Sequence, residues 1–339
     1  MVRLNARESA VLRAVVHAYV EQAAPVASKR VAATCGLDLS PATIRSVMAG
    51  LEERGLLMQE HRSAGRLPSE AGLRVYVDSV LEVERLGQRE KSRIRRAFRG
   101  LASEPQRALR EASRILSEVS EHAGVVLAPR FAESPLRSCR FIQVQPGAVL
   151  AVLVDEAGFV HSRLVPVEGD VTQADLDKFS DYLGARLRGR SLRDLRELVK
   201  REAEEEAGRA GRVLVRLLSM ARASLEAEAE GFFVWGRVNV LNHPEFNDLG
   251  LLRAALQALE EKRLIVRLLD RAAGAGGVRI FIGGGGRRGL PGLSLVSSPY
   301  CGPGECVGSL GVVGPVRMDY SRMVPIVAYT ARQVSQVLN

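Results

Sequence analysis

The stretch SPATIRSVMAGLEERGLLMQEHRSAGRLPS, residues 40 to 69, constrains this chain more than any other. Ser40 is suited to cap a helix, and Pro41 to take its first position, where a missing N–H costs nothing. Ile44, Val47, Met48 and Leu51 then fall at i, i+3, i+4 and i+7, so one face must be buried. The outward residues of the first half, Ala42, Thr43, Arg45, Ser46 and Ala49, are small or hydrogen-bonding, with one guanidinium. Gly55 stops the helix. LLMQEH reads as a strand, SAG as a turn and RLPS as the returning strand, giving a hairpin tipped by Arg62 and Arg66.

Upstream, Val11, Leu12, Val15, Val16, Tyr19 and Val20 predict an amphipathic helix over 7–22, ended by Pro25. Ser28 is the expected cap of a second short helix, KRVAATC, closed by Gly36, with Val31, Ala32 and Cys35 inward. Three helices with a tight turn between the last two, followed by a hairpin, is the outline of a winged helix-turn-helix. In that outline the third helix enters a DNA major groove, so Ser40, Ala42, Thr43, Arg45 and Ser46 are candidate DNA contacts. Arg62 and Arg66 would lie against the backbone or minor groove. Winged helices also serve as protein-interaction modules, and the pattern alone leaves both uses open. The balance of 48 Lys+Arg against 39 Asp+Glu, a formal +9, favours a polyanionic partner.

A helix is expected from Glu70 to Arg85, then a basic run to Arg99, and Gly100 and Pro105 bracket an expected linker. Beyond it the character becomes α+β. VVLAP, FIQVQ, AVLAVLVD and FVHSRLVPV read as strands, with a turn at DEAG, residues 155 to 158, and TQADLDKFSDYLGARL as a helix on their flank. Residues 191–228 are charged and helical in pattern; their EAEEEA run at 202–207 reads as a solvated face. NDLGLLRAALQALEEKRL predicts one helix; VRIFI, LSLVSS and VGSLGVVG predict strands; SRMVPIVAYTARQVSQVL predicts a closing helix.

Catalytic chemistry is sparse. His17, His61, His122, His161 and His243 lie in no metal-ligand spacing, no G-x-S-x-G elbow is present, and no carboxylate pair suggests an acid and a base. The expectation is no enzyme, no metal and no cofactor. GGGGRRG at 283–289 contains G-x-G-x-x-G, but LPG follows where a helix would have to begin, so a surface loop is expected, with Arg287 and Arg288 able to hold an anion. Cys35, Cys139, Cys301 and Cys306 are expected to be reduced thiols, and neither a leader nor an 18-residue apolar run is read. A cytoplasmic protein follows as the expectation. The rival class is a ligand sensor or enzyme in which residues 105–339 do the work and the first domain docks a partner.

LNARESAVLRAVVHAYVEQAAPVASKRVA, LSPATIRSVMAGLEERGLL and HRSAGRLPSEAGLRVYVD together resemble the heat-inducible transcription repressor family HrcA. NVLNHPEF at 239–246 and VGSLGVVGPVRMDYSRMVPIV at 307–327 agree with it, so the resemblance spans nearly the whole chain. It implies a homodimeric repressor of chaperone operons that binds an inverted-repeat operator on double-stranded DNA and is kept active by the GroEL chaperonin, with activity lost on heat stress. It implies a winged helix at 1–88, a linker at 89–104, and a GAF-like α+β domain in two parts, 105–190 and 263–339. A mainly helical dimerising insert is expected between them at 191–262. The GGGGRRG loop departs from the more acidic, less glycine-rich loop the resemblance leads one to expect.

Overall fold

The computed structural model describes residues 3–59, 61, 64–102, 104–129, 135–156, 158–167, 171–187, 190–191, 194, 231–273, 276–283, 290–302 and 306–339. The EAEEEA run and residues 284–289, with Arg287 and Arg288, lie outside them.

At the N-terminus, helix α1 (Ala6–Gln22) starts at a capping box: Asn5 Oδ1 accepts the Glu8 N–H at 2.8 Å, and Glu8 Oε2 accepts the Asn5 N–H at 2.9 Å. Val11, Leu12, Val15 and Val16 are buried, as their spacing demands. Helix α2 (Ser28–Thr34) differs from expectation, because Ala27 holds the cap position and no side chain caps it; Ser28 is already inside the helix. Helix α3 (Pro41–Glu53) buries Ile44, Met48 and Leu51, and the strands β1 (Leu57–Met58) and β2 (Leu67–Pro68) pair antiparallel behind it. Helix α4 (Glu70–Ser79) ends short of the expected Arg85. The following segment is drawn off the helix path: the Glu84 N–H donates to the Ser321 carbonyl at 3.2 Å and Leu86 is buried.

The expected linker holds a helix, α5 (Gln88–Ala97). Ile94, Phe98 and Leu101 recur at i, i+4 and i+7 and are all buried, so the basic run is the outer face of a packed element. It lies against α6 (Pro105–Ser120) and the final helix, α11 (Tyr320–Leu338).

The main sheet has the order β7-β3-β10-β9-β8, with every neighbouring pair antiparallel: β7 (Phe232–Trp235), β3 (Ala123–Leu127), β10 (Cys306–Pro315), β9 (Leu293–Cys301) and β8 (Arg279–Ile282). Alternation sorts its side chains. Val126, Val296, Leu310 and Val312 meet α6 and α11, while Val125, Leu295 and Val313 face the helices α9 (Leu249–Glu260) and α10 (Lys262–Ala273). The single helix expected over 247–264 is thus divided between α9 and α10 at Glu261. Helix α8 (Arg237–Leu241) and a 3-10 turn at Pro244–Asn247 connect β7 to α9.

A second sheet, β4 (Leu136–Gln145), β5 (Ala148–Asp155) and β6 (Val160–Pro166), has helix α7 (Gln173–Leu187) on one face. Its own core is Cys139, Phe141, Val149, Ala151, Leu153 and Val165 against Leu176 and Leu183. Because β3 and β7 are hydrogen-bonded neighbours, the chain leaves the main sheet after Leu127 and rejoins it at Phe232. The second sheet and α7 are the described elements of that excursion, over residues 136–187, whereas of the dimerising insert expected at 191–262 residues 192–193 and 195–230 lie outside the described residues. Residues 232–262 belong with the main sheet, and β7 went unread in the sequence.

The expectation of four free thiols is also corrected. Cys301 and Cys306, facing each other across the β9–β10 hairpin, form a disulfide, and Cys35 and Cys139 are free.

Arg317, in the G-P-V-R-M-D-Y stretch, joins the two halves. Its guanidinium pairs with the Glu245 carboxylate and donates through Nη1 to the Val20 carbonyl of α1 at 2.7 Å. Beside it, His122 Nδ1 lies 3.1 Å from His243 Nε2. Burial, then the positive potential of His243, Arg317 and Arg322, brings His122 down to about 3. The folded protein keeps this imidazole neutral where the unfolded chain, with a pKa near 6.5, takes up a proton. Stability is therefore full above about pH 6.5 and falls toward pH 3, by up to about 1.4 kcal/mol per pH unit from this group. Urea midpoints at pH 7 and pH 5 are expected to lie closer together in His122→Gln than in the parent chain. An unchanged gap would remove His122 as its source.

Candidate nucleic-acid interface

The start of α3 is built by Ser40 and Pro41 as expected. Ser40 Oγ accepts the Thr43 N–H at 3.1 Å and pairs with the Thr43 hydroxyl at 2.9 Å, fixing both hydroxyls at the mouth of the helix. Ala42, Arg45 and Ser46 are exposed on the face opposite the buried Ile44, Met48 and Leu51. No described side chain is hydrogen-bonded or ion-paired to Arg45, so its guanidinium is available, flanked by residues too small to hold a partner away from the backbone. The arrangement can present one five-donor fork and two hydroxyls beside the positive end of a helix dipole.

The hairpin behaves differently from its sequence reading. Arg62 lies outside the described residues. Arg66 does not reach outward: its Nε donates to Glu52 Oε2 at 2.6 Å, its side chain is 14% exposed, and its backbone exchanges two 3.0 Å bonds with Val26. Arg66 therefore pins the hairpin to the last turn of α3 and to the chain before α2. Gly65 is required at that crossing, because a Cβ would run into the Val26 carbonyl group. Gln59 Nε2 spans the hairpin to the Ala64 carbonyl at 2.8 Å.

Other supports escaped the sequence reading. Arg54, at the end of α3, donates to Glu8 at 2.9 Å and to the Arg3 carbonyl at 2.8 Å, tying α3 to the start of α1. The Asn5 N–H, then Arg54, hold the Glu8 carboxyl below its usual range. His17 Nε2 sits 3.1 Å from the Tyr76 hydroxyl, which joins α1 to α4, and burial pushes the Tyr76 phenol up to about 12. Only the N-x-x-E spacing of the capping box was a signal visible in advance. The pairings of Arg54 and Arg66 are set by packing.

Among the described residues no three His, Cys, Asp or Glu side chains are grouped to hold a metal ion, and no helix is long and apolar enough to cross a membrane.

Comparison with known proteins agrees with this layout. A solved structure described as a hypothetical protein at 2.2 Å resolution shares the fold, with a TM-score of 0.65 at 21% identity over 99% of both chains. The heat-inducible transcription repressor HrcA of Geobacter sulfurreducens is 38% identical over 100% of this chain and 99% of its own. That of Syntrophobacter fumaroxidans is 40% identical over 99% and 97%. The family described as HrcA protein C terminal domain matches residues 106–324. The α+β architecture, the sequence of the N-terminal helices and the matched C-terminal region converge: the chain belongs to the HrcA family of heat-inducible transcription repressors.

Proposed function

We propose that residues 3–79 form a winged helix-turn-helix that lays α3 in the major groove of an inverted-repeat operator ahead of chaperone genes. The exposed, unpartnered Arg45 among Ala42, Thr43 and Ser46 carries this reading. Base edges are read by a bidentate fork such as Arg45, and Ser40, Thr43 and Ser46 supply hydroxyls for phosphates. The wing is held to α3 by Arg66 and Glu52.

A palindromic operator requires a two-fold protein. The face of the second sheet away from α7 offers one. Ile142, Leu150 and Leu164 lie in register across its three strands, with Val154 and Val160 beside them; Ile142, Val160 and Leu164 are each about half exposed. An apolar sheet face of this kind supports a homodimer contact. The main sheet and its helices form the GAF-like unit. In the family's mode of action, a GroEL-type chaperonin maintains the folded repressor, and heat stress diverts it.

The test is a salt titration of binding to a chaperone-operon inverted repeat and to a scrambled duplex, with and without purified chaperonin. A preference on the order of 10³ for the repeat, raised by chaperonin, is expected; equal, salt-sensitive binding to both would reduce the N-terminal domain to a basic docking module. Arg45→Ala is expected to lower affinity for the repeat by about 1–3 kcal/mol while dimerisation persists. Unchanged affinity would take Arg45 out of recognition. Leu164→Asp is expected to shift sedimentation from dimer to monomer.

A further inference from the structure

The end of the β9–β10 hairpin brings together two residues that the repressor reading does not use. Register sets Cys301 opposite Cys306, and directly opposed residues of antiparallel strands project to the same side. Cys306 is exposed and Cys301 half-buried, so the bond between them is open to solvent. The other two sulfurs are different. Cys139 is buried inside the second sheet, where loss of solvent pushes its thiol up to about 12, and the half-buried Cys35 donates to the carbonyls of Ala32 and Leu37. Solvent-open disulfides are the ones that exchange with small thiols, whereas buried ones persist.

We infer that Cys301 and Cys306 form a reversible dithiol–disulfide site that exchanges with small-molecule disulfides of the glutathione class. In oxidation the Cys306 thiolate, the more exposed, attacks one sulfur of the external disulfide, breaking its S–S bond and releasing one small thiol. Cys301, as thiolate, then attacks the Cys306 sulfur of the mixed disulfide, forming the internal bond and expelling the second small thiol. The protein loses two electrons and two protons; the external disulfide gains both and becomes two thiols. Reduction runs the same steps backwards.

The site is attached to the body of the fold. The Cys301 N–H donates to Ser335 Oγ at 2.9 Å, and that hydroxyl donates to the Ala331 carbonyl at 2.9 Å, one turn back along α11. Closing the bond thus fixes the end of the hairpin against α11, the helix whose first turn receives the segment after α4 through Ser321. The oxidised form is the more heat-resistant one.

The experiment equilibrates the full-length protein in reduced or oxidised glutathione, traps thiols with N-ethylmaleimide, and reads each cysteine by mass spectrometry. In the oxidised buffer Cys301 and Cys306 are expected to lose their labels together and to appear in one cross-linked peptide; in the reduced buffer both return. The oxidised chain is expected to melt roughly 4–8 °C higher, a difference absent in C301S/C306S. C301S, which retains the attacking sulfur without the resolving one, should accumulate the mixed disulfide on Cys306, and C306S should accumulate far less on Cys301. Full labelling of both residues in the oxidised buffer would overturn the inference, as would a bond that reduced glutathione leaves intact. Equal accumulation in the two single variants would overturn the order of attack.

Discussion

Replacing Arg317 with alanine is expected to cost the full chain about 3–5 kcal/mol, more than any substitution on the exposed face of α3. The side chains of Arg317 and Glu245 are only 12% and 15% exposed, so the variant leaves a carboxylate buried without its counter-charge. It also strips the donor from the Val20 carbonyl, at the end of α1. The double variant Arg317→Leu/Glu245→Leu separates these effects. Removing both charges should return most of the stability, while the contact to α1 stays lost. Denaturant unfolding of the three variants measures the first effect, and amide exchange in the last turn of α1 the second. If Arg317→Ala unfolds at the parent's midpoint, the ion pair contributes nothing net to stability.

The second large effect is expected at Gly72, which looks unremarkable in sequence. Ser69 caps α4 by accepting the Gly72 N–H at 3.0 Å, and its own hydroxyl donates to the Gly55 carbonyl at 2.6 Å. The Ser69 N–H donates to the Leu56 carbonyl at 3.0 Å, so the first turn of α4 is pressed onto the chain entering β1. A Cβ on Gly72 would be driven into the Leu56 carbonyl oxygen, which is backbone and cannot swing aside. Gly72→Ala is therefore expected to destabilise the N-terminal domain by about 3 kcal/mol. If α3 reads an operator as proposed, Gly72→Ala should weaken that binding near physiological temperature more than Arg45→Ala does, without altering any residue on the exposed face of α3. Calorimetry on the full chain is expected to show the loss in the transition of residues 3–79, with that of the main sheet unmoved. A wild-type melt would mean that α4 can slide outward at no cost.

The N-terminal elements were legible because their signals are local. Ser40-Pro41 before a four-residue apolar stripe, and Gly55 after it, fix α3 with no help from the rest of the chain. What those side chains do was less legible. Ser40 and Thr43 read correctly as the polar start of the helix. Arg66 read as a contact to the DNA backbone or minor groove, because nothing within a few residues announces that Glu52 will take its guanidinium. The basic segment after Arg85 read as a linker on charge density, although Ile94, Phe98 and Leu101 already had helical spacing; their burial outweighs the repulsion of an exposed basic face. The bounds of the excursion that holds the second sheet depend on β3 pairing with β7, more than a hundred positions later, a contact that no local pattern specifies. The same holds for the cysteines: C-x4-C becomes a bond only because the hairpin register places them face to face.

The strand order of the main sheet has a consequence for the chain as it leaves the ribosome. β3 is the first of these strands to be synthesised, and its two neighbours are β7 and β10, which follow it far later in the chain. Through most of translation β3 carries at least one open edge, and the apolar faces of α6 and β3 lack the strands and the final helix that cover them. The N-terminal helices can close early on local contacts, but the sheet cannot close until residues 306–315 have emerged. A newborn molecule thus passes through a long interval with a finished head and an unfinished body, and its yield is set by whatever shields that body from its neighbours.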